Sequence, residues 1–253
     1  MKKAIVIGAS SGIGRELSII LAQNGYTVCA TGRRADLLQS LQAELSPASF
    51  VQAMDVSDTE NAIRIFNTIT EGLNGTDLVV ISAGTGYLNH DLQWPREKNT
   101  IDVNVTGFSA IAGAAFRYFT QQKYGHLVGI SSIAALRGCG DAPAYNASKA
   151  FVSNYLQGLR HNAAALKVPV CISDIRPGFV DTALAQGDGL FWMQSPQKAA
   201  RQIFTAIQKK KKVAYITKRW ILVAWLLKIL PDAIYHKMAN VRKMGMKQQV
   251  FRN

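Results

Sequence analysis

The sequence predicts one α/β domain built on an open, parallel, doubly wound sheet with helices on both faces, followed by a C-terminal helical extension. Three observations lead there. Short, nearly continuous apolar runs rich in Val and Ile recur at 3–7, 26–31, 77–82, 125–131 and 168–175, the mark of strands buried on both faces. Segments with a helical period separate them, as in a sheet whose strands are joined by crossover helices. The first run exits into a glycine-rich turn, GASSGIG at 8–14. With 253 residues, 48% hydrophobic and 18% charged, the chain has the composition of a globular protein and length enough for one large domain.

In the opening unit, Gly8 suits a sharp exit from the strand, Gly12 a close backbone approach to a diphosphate, and Gly14 tight helix–strand packing. The next helix carries Ile13, Leu17, Ile20 and Leu21 on its apolar face. Its first-turn N–H groups and its dipole favour an anion, so Gly8, Ser10, Ser11, Gly12, Ile13 and Gly14 form the candidate phosphate cradle. The spacing is GxxxGxG, not the commoner GxGxxG.

The second strand, 26–31, runs into Gly32, Arg33 and Arg34. An acidic residue at that end would hold an adenosine ribose hydroxyl; two guanidiniums instead suit a 2′-phosphate and favour NADP(H) over NAD(H). Asp36 lies further on, within the helix predicted at 35–44. Strand 49–53 leads to Asp55 and Val56, a helix at 57–71 follows with Ile63, Phe66 and Ile69 on one face, and strand 77–82 ends at Ala83 and Gly84. Ligands of such sheets sit beyond the carboxyl ends of the strands, which places Asp55, Val56, Ala83 and Gly84 at the cofactor, with Asp55 near the adenine amino group.

After an irregular stretch with Trp94 and Pro95, residues 99–116 read as one long helix with Asn104 in its middle. A mid-helix amide is costly if buried without partners; it either organises water or bends the helix, or simply faces solvent. Strand 125–131 delivers Ser131 and Ser132. A helix beginning near Tyr145, after Pro143, runs to about Leu166. Within it, YNASK at 145–149 sets Tyr145 and Lys149 four residues apart on one face. A phenol, with an ordinary pKa of about 10, becomes an acid–base group near neutrality only beside a cation, and Lys149 can be that cation. Strand 168–175 ends in Arg176, Pro177 and Gly178, then Val180, Asp181 and Thr182, and Ser195-Pro196 opens the next helix.

The charge is unevenly spread. Of the net +13, residues 209–253 carry +11 and residues 1–208 only +2. KKKK at 209–212 precedes a strand at 213–217 and an apolar helix at 218–230, halted by Pro231. Its longest apolar reach is eleven residues, about 16 Å as helix against roughly 30 Å of hydrocarbon, too short to span a bilayer. Trp220 and Trp225 with flanking cations suit an anionic membrane surface; packing on the core or on a second subunit is the alternative. The cations carry no nucleic-acid-binding motif. Cys29, Cys139 and Cys171 lack metal spacing, and their odd number argues against a disulfide framework. The N-terminal apolar run is too short for a signal peptide. These features predict a cytoplasmic protein, peripheral on the inner face of a membrane, with no metal.

GASSGIG, Asp55, Ala83-Gly84, Asn104, Ser132, YNASK and RPGFVDT at 176–182 come in an order that resembles the short-chain dehydrogenase/reductase family, with Ser132 thirteen residues before Tyr145. The resemblance covers residues 3–208. It implies a Rossmann-type sheet, a nicotinamide cofactor and a carbonyl/alcohol substrate, and the tail adds the expectation that this substrate is lipophilic. It also implies that Tyr145 transfers the proton, Lys149 lowers its pKa and holds the nicotinamide ribose, Ser132 orients the substrate oxygen and Asn104 holds a relay water. Pro177, Gly178, Val180 and Thr182 would line the cofactor, and residues 105–122 and 145–166 would pair subunits in a homo-oligomer. Where the family has two amides before Ala-Gly, this chain has Ile81 and Ser82, and its segment after Thr182 is short for a substrate lid. An expected division is 1–208 as the catalytic domain and 209–253 as last strand and tail. Competing functions are a same-fold epimerase or dehydratase, and a non-catalytic NADP-binding or scaffold protein.

Overall fold

In the computed structural model, which describes residues 1–182, 184–185 and 191–235, seven strands form one sheet. They are β1 (Lys2–Ile7), β2 (Tyr26–Gly32), β3 (Phe50–Ala53), β4 (Leu78–Ile81), β5 (Gly125–Ile130), β6 (Val170–Pro177) and β7 (Val213–Ile216). Their order is β3-β2-β1-β4-β5-β6-β7, every pair parallel. The strand order reverses between β1 and β4, which opens a crevice above their carboxyl ends, where such sheets take ligands.

Alternation along the strands feeds two cores. Ile5, Ile7, Val79, Ile81 and Leu127 face α3 (Thr59–Leu73), α5 (Phe108–Gln122) and α6 (Pro143–Ala165). Ala4, Val6, Val28, Val80 and Val128 face α1 (Gly12–Gln23), α2 (Ala35–Gln42) and α7 (Pro196–Gln208). The doubly wound α/β class predicted from the apolar strands is therefore the observed one.

The predicted helix at 99–116 differs. Pro95 sits in the first turn of α4 (Trp94–Ile101), where its fixed φ is preorganised and its missing N–H costs nothing. A wider π-helical turn, Asp102–Gly107, then separates α4 from α5. Asn104 lies in that turn and is only 1% exposed, so the solvent-facing alternative fails. Such turns mark functional positions because they re-aim a side chain without ending the helix.

The last helix, α8 (Trp220–Ile229), lies past the carboxyl end of β7. Trp220 and Ala224 bury against Ile133, Leu136 and Phe179, and Arg137 donates to the carbonyls of Leu227 (2.8 Å) and Leu230 and to Asp232. No helix among the described residues is long and apolar enough to cross a membrane. The lysine run is elsewhere. The Lys212 carbonyl accepts from the Asp174 amide at 2.9 Å and the Lys211 carbonyl from Ser173 Oγ at 2.6 Å. These bonds fix residues 209–212 at the amino end of β7, at the opposite end of the sheet from α8.

Candidate active site

At the crevice the backbone is packed as tightly as the glycine pattern requires. Gly8 turns with φ +89°, and a Cβ there would fall 2.3 Å from the Ala83 nitrogen. The turn after β1 and the Ala83-Gly84 segment after β4 are therefore pressed together. A Cβ at Gly14 would lie 2.2 Å from the Gly8 carbonyl oxygen, and one at Gly12 would lie 3.1 Å from Thr182 Cγ2, which draws the 177–182 segment to the same turn. Ile13 packs into the core beside α1. Ser11 occupies the N-cap of α1 without a side-chain cap bond, so no hydroxyl competes for the first-turn N–H groups that an anion would take.

The two arginines separate. Arg34 Nη2 donates to Ser10 Oγ at 3.1 Å and to Ser11 Oγ at 2.6 Å, on the rim of the glycine turn. Arg33 turns away to Asp55, 3.9 Å distant, with about half its side chain exposed. Adjacent residues at the end of an extended strand point to opposite sides, so the two guanidiniums stand apart. Asp55 Oδ1 accepts from the Ser57 amide and hydroxyl at 2.9 and 2.7 Å, and Val56 is buried beside the π-helical turn.

The residues expected to transfer the proton meet beyond β4 and β5. The Ser132 hydroxyl stands close enough to the Tyr145 phenol to influence its titration. Burial pushes the Tyr145 phenol above its ordinary value, and the Ser132 hydroxyl draws it part of the way back. Ser132 Oγ also accepts from the Ala134 amide at 3.1 Å and reaches the Pro177 carbonyl at 3.5 Å. Lys149 Nζ lies 5.7 Å from the centre of the Tyr145 ring and donates to the Ile130 carbonyl at 3.1 Å. Burial lowers the Lys149 pKa to about 8, and the charge of Asp174 opposes that fall.

A Cβ at Gly84 would touch Lys149 Nζ (3.2 Å) and Asn104 Oδ1 (3.4 Å), so these three crowd one point. Asn104 Oδ1 accepts from the Thr85 amide at 2.8 Å. Its Nδ2 donates to the Thr85 carbonyl at 2.7 Å and to Ser148 Oγ at 2.9 Å. Both amide hydrogens are thus spent on protein groups, clamping the loop after β4 to α6, and only an acceptor lone pair remains for a water. Val180 bridges to Gln194, and Gly178 lies under the indole of Trp220.

Two residues here escape a motif reading. A Cβ at Gly86 would fall 2.5 Å from Tyr145 Cδ2. Gly86→Ala is expected to displace the Tyr145 ring, cutting kcat well below wild type at a stability cost of about 1–3 kcal/mol, typical of overpacking; turnover and urea denaturation of one preparation check it. The second is Asp174, fully buried on β6. It accepts from Ser131 Oγ, from Ser153 Oγ at 2.8 Å, and from Arg176 Nε and Nη2 at 2.7 Å each. It thereby ties the residue before Ser132 to the α6 turn that follows Lys149. The signal was the polar pair Ser173-Asp174 interrupting an apolar strand.

The buried ammonium also has a stability consequence. Lys149 titrates at about 8 in the folded chain against 10.5 when unperturbed. Between those values the unfolded chain binds more protons, so stability contributed at this site rises with pH. Below about 8 the ammonium is charged in both states and its burial penalty is constant. The difference in unfolding free energy, wild type minus Lys149→Met, is therefore expected to be lowest below pH 8 and to increase toward pH 10.5, as measured by urea melts across that range.

Comparison with known proteins agrees with this arrangement. The family model described as short chain dehydrogenase matches residues 2–189. An "uncharacterized oxidoreductase" of Myxococcus xanthus is 39% identical over 188 residues, covering 72% of this chain and 74% of that one. Among solved structures, a short chain dehydrogenase from Bacillus anthracis superposes with a TM-score of 0.77 at 19% identity, covering 85% of this chain and 93% of the other. The closed form of serine dehydrogenase complexed with NADP+ does so with a TM-score of 0.75 at 23% identity, covering 84% and 93%. The sheet, the glycine turn and the matched model lead to one conclusion: this chain belongs to the short-chain dehydrogenase family of NAD(P)-dependent oxidoreductases.

Proposed function

We propose that the protein is an NADP(H)-preferring oxidoreductase that interconverts a carbonyl and an alcohol, with Tyr145 as the proton-transfer residue. The observation that carries this is the buried Lys149 amine 5.7 Å from the centre of the Tyr145 ring, with the Ser132 hydroxyl beside the phenol. The cofactor supplies or accepts the hydride. In reduction Tyr145 gives a proton to the forming alkoxide while Ser132 holds the same oxygen, so developing charge is met by donors already in place. The Ser132 hydroxyl offsets part of the burial that raises the phenol, and Lys149 would hold the nicotinamide ribose. Asn104 fixes the loop between these groups and leaves an acceptor for a relay water.

Gly8, Ser10, Ser11, Gly12, Ile13 and Gly14 would hold the diphosphate, and Ala83 and Gly84 a ribose. Asp55 and Val56 would hold the adenine, and Pro177, Gly178, Val180 and Thr182 the nicotinamide end. Arg34, on the Ser10 and Ser11 hydroxyls, supports the 2′-phosphate preference. The exposed apolar residues Phe191, Trp192 and Met193 near the site support a lipophilic substrate and work at an anionic membrane surface. The shallow cleft along α6 beside Ala147, Ala150 and Phe151 supports self-association through that helix. The test is NADPH oxidation against aldehydes, ketosteroids, retinoids and acyl-chain ketones, with and without lipid. No NADPH-dependent turnover of any carbonyl, together with undiminished NADPH binding, would favour a non-catalytic role.

A further inference from the structure

The helix α8 is apolar nearly all round, but its faces have different fates. Trp220 and Ala224 are buried, whereas Ile221, Leu222, Trp225, Leu226 and Ile229 form a continuous exposed stripe, with Leu222 72% and Trp225 64% accessible. Phe191, Trp192 and Met193 extend it with a further exposed apolar group, and Arg219 lies over the Trp192 ring at 5.2 Å.

Immediately beside this surface is a cleft of about 330 Å³ lined by Gln194, Lys198, Gln202, Thr217, Lys218 and Arg219. Gln194 is 6% exposed, yet neither its amide nitrogen nor its amide oxygen has a hydrogen-bond partner among the described residues. Among the described residues, none of Lys198, Lys218 and Arg219 is in a salt bridge with a carboxylate. Three cations around one cleft suit a phosphate ester. Contiguity with an exposed Trp-bearing apolar stripe suits the phosphate of a lipid.

Deepening the membrane reading above, we infer that this cleft binds the phosphate of an anionic phospholipid while the exposed stripe of α8 lies among the acyl chains beside it. The charge favours lipid over a second copy of the chain. Cations stand at both ends of α8, at Lys218, Arg219 and Lys228, and the onward segment 236–253 carries five Lys and Arg and no Asp or Glu. Two such faces brought together would repel, whereas an anionic surface neutralises both. At ten residues, α8 is about 15 Å long and lies in the plane of the interface. Its inner face rests on the turn that begins at Ser132, and Trp220 rests on Gly178. The docked surface is thereby held beside the catalytic mouth.

The test is flotation of the full chain with phosphatidylcholine vesicles, with and without phosphatidylglycerol, which requires no turnover. Failure here is thus separable from failure of the oxidoreductase reading, which a water-soluble ketone tests without lipid. Binding is expected only with phosphatidylglycerol, and should drop at least roughly tenfold in Lys198→Gln/Arg219→Gln and in Leu222→Glu/Trp225→Glu, whose side chains are solvent-facing. Replacing Lys209 and Lys211 by Gln, at the opposite end of the sheet, should leave it unchanged. Inorganic phosphate and glycerol phosphate serve as soluble competitors, and the lipid source predicts little competition at millimolar concentration. Displacement at micromolar concentration, equal loss in the Lys209/Lys211 variant, or absence of flotation with a fall in oligomer size in Leu222→Glu/Trp225→Glu would overturn the inference. The last would make the stripe an interface between copies.

Discussion

Tyr145→Phe is expected to lower kcat/KM by about 10²–10⁴-fold, or about 3–5 kcal/mol of transition-state stabilisation, the usual contribution of a positioned general acid. The substitution removes one oxygen and keeps the ring that Gly86 and Lys149 pack against. NADPH binding should therefore stay within a few-fold of wild type, checked by titration of nucleotide fluorescence. The loss should fall on kcat more than on KM, since the hydroxyl acts where charge develops on the substrate oxygen. Because burial raises the Tyr145 phenol in the free protein, its acid form dominates near neutrality, and reduction is the direction for which the free enzyme is already protonated. Turnover of Tyr145→Phe equal to wild type would remove Tyr145 from the proposed mechanism.

The sheet was legible because a strand buried on both faces writes itself as an apolar run, and several of these with intervening helical periods leave little freedom in topology. The carboxyl-end positions were legible too, since Gly8, Ala83 and Ser132 come directly or almost directly after their strands. What stayed hidden depends on pairs remote in sequence. Asn104 was ambiguous because its partners, Thr85 and Ser148, are 19 and 44 residues away. Asp174 acquires meaning only when β6 brings it against Ser131, Ser153 and Arg176. Gly86 belongs to no pattern, because what forbids a side chain there is the Tyr145 ring from another element. The basic segment looked like one feature in the chain, but β7 divides it. Residues 209–212 go to one end of the sheet, and Lys218, Arg219 and α8 go to the other. The likeness of Arg33 and Arg34 was misleading for a simpler reason, strand pleating, and the difference between them is testable.

Arg34→Ala is expected to weaken NADPH binding by roughly 10- to 100-fold, the value of about 1.5–3 kcal/mol for hydrogen bonds to a charged group. NADH binding should change far less, since NADH lacks the 2′-phosphate. The argument rests on where the guanidinium is held. Its contacts with Ser10 and Ser11 fix it on the rim of the glycine turn, so a phosphate meets a charge whose conformational entropy is already largely spent. Arg33 gives the internal comparison. Half exposed and 3.9 Å from Asp55, it is screened by water and partly neutralised. Arg33→Ala should therefore cost NADPH affinity only a few-fold. A second contrast separates charge from structure. Arg34→Lys keeps the charge but loses the planar fork, and should recover part of the NADPH affinity without restoring it. If Arg34→Ala weakened NADH and NADPH equally, the arginine would be a strut for the turn rather than a reader of the 2′-phosphate. Isothermal titration of both nucleotides against the three variants distinguishes the two roles, because a strut acts on the shared diphosphate and a reader only on the group that differs.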